Sequence, residues 1–298
     1  MKNTLKTIIG KLDLTKLYPL ARRIIDLKKT KKPVYNSIDH MLSTESGIVR
    51  VRLYPVREYS KLMIFFHGGG WATESIDTYD RVCAALARTT GCAVLSADYS
   101  LAPEHKFPVA LNECYGVIKE AVRACDLFGL KKEDIILCGD SAGGNLAAAA
   151  ALLGRDRGEF LISKMVLIYP VIACDYGSDA LFKSVHEKAE GYSLTSDHME
   201  DYVELYMRSR ADKESPYFSP INAVHFRNMP DTLIITAEND PLRDEGIAFG
   251  RQLKRGGSQV YAYRMNDTEH GFFADTEDKN AVMARKMIRR FIRDEKIL

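Results

Sequence analysis

Three residues far apart in this 298-residue chain have types and neighbours suited to nucleophilic acyl chemistry. Ser141 stands in Gly139-Asp140-Ser141-Ala142-Gly143, a G-x-S-x-G pentad that runs into a stretch of alanines. A serine hydroxyl is a weak nucleophile at neutral pH and needs an adjacent base to take its proton. Of the seven histidines, His270 suits this best, because it lies in a loop late in the chain, after the last predicted strand. The imidazole in turn needs an acid that holds its tautomer and stabilises the cation. Asp240 ends a predicted strand, with Pro241 fixing the turn. Glu238 is a credible substitute by chemistry, whereas Asp244 and Glu245 read as charges of a helix start. The order serine, acid, histidine is that of strand–turn–helix hydrolases. A rival serine, Ser193, lacks both the second glycine and a preceding strand.

A second feature is His67-Gly68-Gly69-Gly70-Trp71, directly after a continuously apolar run. Three glycines in a row are costly in backbone entropy, which points to a close approach of backbone to ligand. Amides of such a loop, with the amide of the residue after the nucleophile, can stabilise an oxyanion. A phosphate loop would carry a lysine or G-x-G-x-x-G spacing, and neither is present. His67 itself reads as a residue that orders the loop. Trp71, at the loop's end, is expected to contact substrate.

Eight strands are predicted to position these residues: Val34–Leu42, Ile48–Tyr54, Leu62–Phe66, Ala93–Ala97, Ile135–Cys138, Met165–Tyr169, Thr232–Thr236 and Val260–Arg264. Helix-like segments fall near 76–89, 108–125, 142–153, 243–255 and 278–294. From residue 62 onward the alternation implies a mostly parallel sheet covered on both faces; the first two strands, joined by a short loop, favour an antiparallel start. The pentad then lies on the turn between a strand and a helix, where the neighbours of a strained serine must be small. Residues from about 173 to 222 break the alternation, with helical material near 197–209. Together with residues 1–32 they could form a cap over the C-terminal ends of the strands, where ligands of open α/β sheets bind.

Hydrophobic residues make up 46% and charged residues 28%, an ordinary globular mixture without repeats or linkers, so one domain over 1–298 is expected. The catalytic core then comprises 33–172 and 223–298. The six cysteines form no C-x-x-C pair and read as buried thiols in the cytoplasm. No histidine pair has ligand spacing, and neither metal nor cofactor is expected. Neither a membrane-spanning run nor a secretory signal is visible. Residues 1–32 hold ten Lys and Arg against two Asp, although the whole chain is only +2. Their apolar residues recur at helical spacing, which suggests basic amphipathic helices packed on the body or, alternatively, weakly attracted to anionic lipid. Nothing resembles a nucleic-acid motif.

The chain resembles the hormone-sensitive-lipase family of α/β-hydrolases from about residue 60 to the end. The family's motifs stand as His67-Gly68-Gly69-Gly70-Trp71, Tyr99-Ser100-Leu101-Ala102-Pro103-Glu104, Gly139-Asp140-Ser141-Ala142-Gly143-Gly144-Asn145, Asp240-Pro241-Leu242-Arg243-Asp244-Glu245-Gly246 and His270-Gly271-Phe272. Ser100 replaces the arginine that the family usually carries. The resemblance implies an α/β-hydrolase fold with a helical cap, and Ser141, Asp240 and His270 as a catalytic triad. It also implies that Gly68, Gly69 and Ala142 form the oxyanion hole. The expected activity is hydrolysis of small esters with acyl groups from acetyl to about hexanoyl. An amide, N-formyl or sugar-acetate hydrolase on the same triad is the nearer alternative, and a non-catalytic small-molecule receptor the more distant one. The sequence does not distinguish a monomer from a homodimer.

Overall fold

The computed structural model describes residues 35–188 and 191–297. The basic helices expected within 1–32, and with them that part of the cap and any lipid contact, lie outside the described residues. In chain order the elements are β1 (Ile38–Thr44), β2 (Gly47–Tyr54), β3 (Leu62–Phe66), α1 (Asp80–Thr90), β4 (Ala93–Asp98), α2 (Val109–Ala124), β5 (Ile135–Asp140) and α3 (Ala142–Arg157). There follow β6 (Lys164–Ile168), α4 (Lys183–Glu187), α5 (Ser196–Tyr206), β7 (Asp231–Asn239), α6 (Arg243–Arg255), β8 (Val260–Glu269) and α7 (Lys279–Ile292).

The eight strands make one sheet in the order β1-β2-β4-β3-β5-β6-β7-β8. Pairing is antiparallel between β1 and β2 and between β2 and β4, and parallel from β4 to β8. Because side chains alternate across a strand, Ile64 and Phe66 of β3 enter one core with α2, α3 and α6. Met63 and Phe65 enter the other, with α1 and α7. Both faces are therefore buried, which explains the unbroken apolar run of β3.

The expected strands all form, with shifted ends. β1 begins at Ile38 rather than Val34, and β7 and β8 run on to Asn239 and Glu269. Beyond the paired Ala237 and Met265 those extensions are polar, so they carry little apolar signal; backbone pairing sustains them. After a bulge between Ala237 and Asn239, Asn239 pairs with Glu269. The next residue on each strand is Asp240 and His270. The sheet register thus delivers these two residues side by side.

Helix α3 is buried over all of its first thirteen residues, from Ala142 to Gly154. Its glycines and alanines allow that depth: a Cβ at Gly154 would overlap the Phe160 ring, and one at Gly144 would press on Pro170 at 2.9 Å.

Candidate active site

Ser141 occupies the turn from β5 into α3 with φ 53° and ψ −120°, a backbone region that a residue with a Cβ rarely adopts. Such a conformation costs on the order of 1–3 kcal/mol and persists only where its surroundings over-determine it. Here they do. The Ser141 amide donates to the Ile168 carbonyl at 2.9 Å, and its carbonyl accepts from Val171 at 3.2 Å and Asn145 at 3.1 Å. The pentad's glycines have steric reasons as well. A Cβ at Gly139 would overlap the Gly143 carbonyl, and one at Gly143 would overlap the Phe66 carbonyl. The sharp turn is possible only because both positions lack a side chain.

His270 Nε2 lies 2.9 Å from Ser141 Oγ, and its Nδ1 lies 2.8 Å from Asp240 Oδ2. A carboxylate only accepts, so Nδ1 carries the proton and Nε2 is left to accept from the serine hydroxyl. Asp240 is fully buried, and its Oδ1 accepts from the Leu242 amide at 2.9 Å, which fixes the carboxylate plane. The Tyr169 ring packs on the imidazole at 4.5 Å between centroids. The three residues singled out from the sequence therefore meet, although 99 and 30 positions separate them in the chain. Glu238 does not join them, since its carboxylate accepts from the Asp267 amide at 2.9 Å. Ser193 is exposed in the insertion, where its hydroxyl donates to the His270 carbonyl at 3.3 Å.

The triple-glycine loop differs from expectation by one residue. The Gly68 amide donates to Asp140 Oδ1 at 2.9 Å and is therefore committed to the protein. The amides of Gly69, Gly70 and Ala142 find no acceptor among the described residues. Asp140 accepts from the Tyr79 hydroxyl at 2.8 Å through its other oxygen. Burial pushes its carboxyl up to about 6, against the opposing pull of the Tyr79 hydrogen bond. A Cβ at Gly68 would stand 2.7 Å from Asp140 Oδ2, so this close tether needs glycine. His67 orders the loop, stacked on Tyr99 at 4.3 Å with Nδ1 2.8 Å from the Gly68 carbonyl. Ser100 does its local work through Glu113, whose carboxylate accepts from the Ser100 amide at 2.6 Å and hydroxyl at 2.7 Å.

Trp71 is also placed differently from expectation. It is fully buried, stacked on Tyr206 at 4.6 Å and near Phe218 at 6.2 Å, so it fastens the insertion to the core and offers no face to substrate. Tyr202 of α5 lies against Gly70 so closely that a Cβ there would overlap its ring. Glu245 departs from the role of a helix-start charge. It is fully buried, and its Oε1 accepts from the Ile172 amide at 2.7 Å and the Tyr176 hydroxyl at 3.0 Å. Burial pushes it up to about 8 despite those donors.

The fold is that of an α/β hydrolase, with Ser141 on the sharp strand-to-helix turn after β5. A family model described as the alpha/beta hydrolase fold matches residues 63–274. The chain is 35% identical over 255 residues to an arylesterase of Saccharolobus solfataricus, covering 85% of this chain and 82% of that one. It is 37% identical over 236 residues to an acetyl esterase of Salmonella typhi, covering 78% and 71%. Among solved structures, a hyperthermophilic esterase of the archaeon Pyrobaculum calidifontis matches with TM-score 0.83 at 36% identity, over 98% of this chain and 97% of the other. The chain belongs to the α/β-hydrolase family, in its hormone-sensitive-lipase-like branch. No described helix is long and apolar enough to cross a membrane.

Proposed function

We propose that this protein is a carboxylesterase acting through Ser141, His270 and Asp240. One observation carries the reading: an imidazole bridges a strained elbow serine at 2.9 Å and a buried aspartate at 2.8 Å. His270 Nε2 takes the Ser141 proton as Oγ attacks the acyl carbon, and the Asp240 carboxylate balances the imidazolium. The oxyanion settles among the amides of Gly69, Gly70 and Ala142, with Gly70 in place of the committed Gly68. Protonated His270 then gives its proton to the leaving alcohol. Water, deprotonated by the same imidazole, attacks the acyl-enzyme, releases the acid and returns the hydrogen to Ser141.

Likeness to an arylesterase and an acetyl esterase supports small esters with short acyl groups as substrates, from acetyl to about hexanoyl. The six buried thiols support a reducing compartment, the cytoplasm, as the place of action. The test is hydrolysis of p-nitrophenyl esters from acetyl to decanoyl, beside matched anilides. The expected result is activity highest at short acyl lengths, little anilide cleavage, and loss of turnover in Ser141→Ala. Wild-type turnover in Ser141→Ala would overturn the mechanism, and preference for the anilide would make the enzyme an amidase.

A further inference from the structure

Helix α4, in the insertion between β6 and β7, is joined to the turn that carries Asp240. Ser184 is fully buried there. Its hydroxyl donates to the Pro241 carbonyl at 2.7 Å and accepts from the Asp244 amide at 3.1 Å. Its own amide donates to Asp244 Oδ2 at 2.9 Å. One side chain thus spans the turn from the residue after the acid to the first turn of α6. Two polar contacts reinforce it: Arg243 with Glu187 at 3.0 Å, and Lys188 with Asn239 at 3.1 Å. The base is gripped from the same segment, since the Ser193 amide donates to Glu269 at 3.0 Å.

The buried Pro241 carbonyl and the first-turn amide of Asp244, which has no intrahelical acceptor, both take Ser184 as partner, so the hydroxyl satisfies two polar groups of the acid's turn at once. A buried hydroxyl with both a donor and an acceptor role fixes direction as well as distance. The segment Asp240-Pro241-Leu242 has two anchors, the Leu242 amide on Asp240 and the Ser184 bridge. The first sets the plane of the carboxylate; the second sets where the turn sits against β8 and His270.

We propose that Ser184 is a positioning residue for the triad, locking the Asp240 turn to α4 so that acid and base stay aligned. The insertion is then part of the catalytic frame as well as a cover. This inference rests on the triad reading above. Its consequence is specific: loosening Ser184 misaligns Asp240 from His270 while the serine, the oxyanion loop and the substrate surface stay in place. A misplacement of about 1 Å in a catalytic constellation can cost about 100-fold in rate.

The test compares Ser184→Ala, Ser184→Thr and Ser196→Ala with the wild type, by ester kinetics and by the downfield NMR signal of the proton between His270 and Asp240. Ser196 is a similarly buried hydroxyl whose bond, to the Val185 carbonyl at 2.6 Å, stays within the insertion, so it controls for general loosening. Ser184→Ala is expected to lose about 10- to 100-fold in kcat with KM within about twofold, and to broaden or lose the downfield signal. Ser184→Thr, which keeps the hydroxyl, restores both in part; Ser196→Ala keeps both. If Ser184→Ala does not fold, Ser184→Cys carries the test, because the thiol fills the space with a weaker hydrogen bond and should give an intermediate loss. A folded Ser184 variant lacking the hydroxyl, with wild-type kcat and an unchanged signal, would overturn the inference. Asp240→Asn separates the two readings: were it to retain both signal and turnover, the triad itself would fall.

Discussion

Replacing Glu245 with glutamine isolates a single buried ionisation. In the folded protein the carboxyl sits at about 8 because burial disfavours its charge, whereas an unfolded glutamate titrates at 4.5. Between those values the native state holds a proton that the unfolded state has released. Stability contributed by this group therefore falls as pH rises, by about 1.4 kcal/mol per pH unit, and levels off above about 8. From pH 5 to pH 9 the loss comes to about 4 kcal/mol. Glutamine keeps the oxygen that accepts from Ile172 and Tyr176 and has no proton to lose. The two proteins should be nearly equal at pH 5, and Glu245→Gln the more stable by about 4 kcal/mol at pH 9. Urea unfolding at half-unit intervals, with m-values compared to verify a common unfolded state, measures the difference. Parallel stability curves would refute the reasoning, because they would mean that Glu245 ionises in the fold as freely as out of it.

Two further outcomes follow from the corrected placements. Asp140→Asn leaves only one oxygen where two now hold Gly68 and Tyr79; the oxyanion loop should lose its aim, with kcat down about 10- to 100-fold and KM little changed in steady-state kinetics. Trp71→Phe should lower thermal stability by about 1–3 kcal/mol through lost stacking on Tyr206, with KM for p-nitrophenyl acetate unchanged; a changed KM at unchanged stability would restore Trp71 as a substrate contact.

The central strands were legible because strands buried on both faces are apolar throughout, and the turn at Ser141 because a strained turn demands small neighbours at fixed places. His270 and Asp240 were legible from their position after late strands. What sequence could not convey is direction. Three consecutive glycines promise exposed amides, but which amide faces the reaction and which is tethered depends on Asp140, inside the pentad yet silent about its aim. Trp71 reads as a substrate contact from sequence because its stacking partners, Tyr206 and Phe218, come from a distant insertion whose path over the loop no local pattern reports. Glu245 resembled any acid in a first helical turn. Its burial follows from the insertion's path at Ile172 and Tyr176, which no local periodicity reports.

The central claim, that Ser141 is the nucleophile, is tested most directly by covalent trapping. Wild-type protein is treated with a fluorophosphonate, digested, and mapped by mass spectrometry. The expected result is one adduct, on the peptide containing Gly139-Asp140-Ser141-Ala142-Gly143, with loss of esterase activity in step with labelling and no adduct in Ser141→Ala. An adduct on another serine that tracks inactivation, or full activity after complete modification of Ser141, would contradict it.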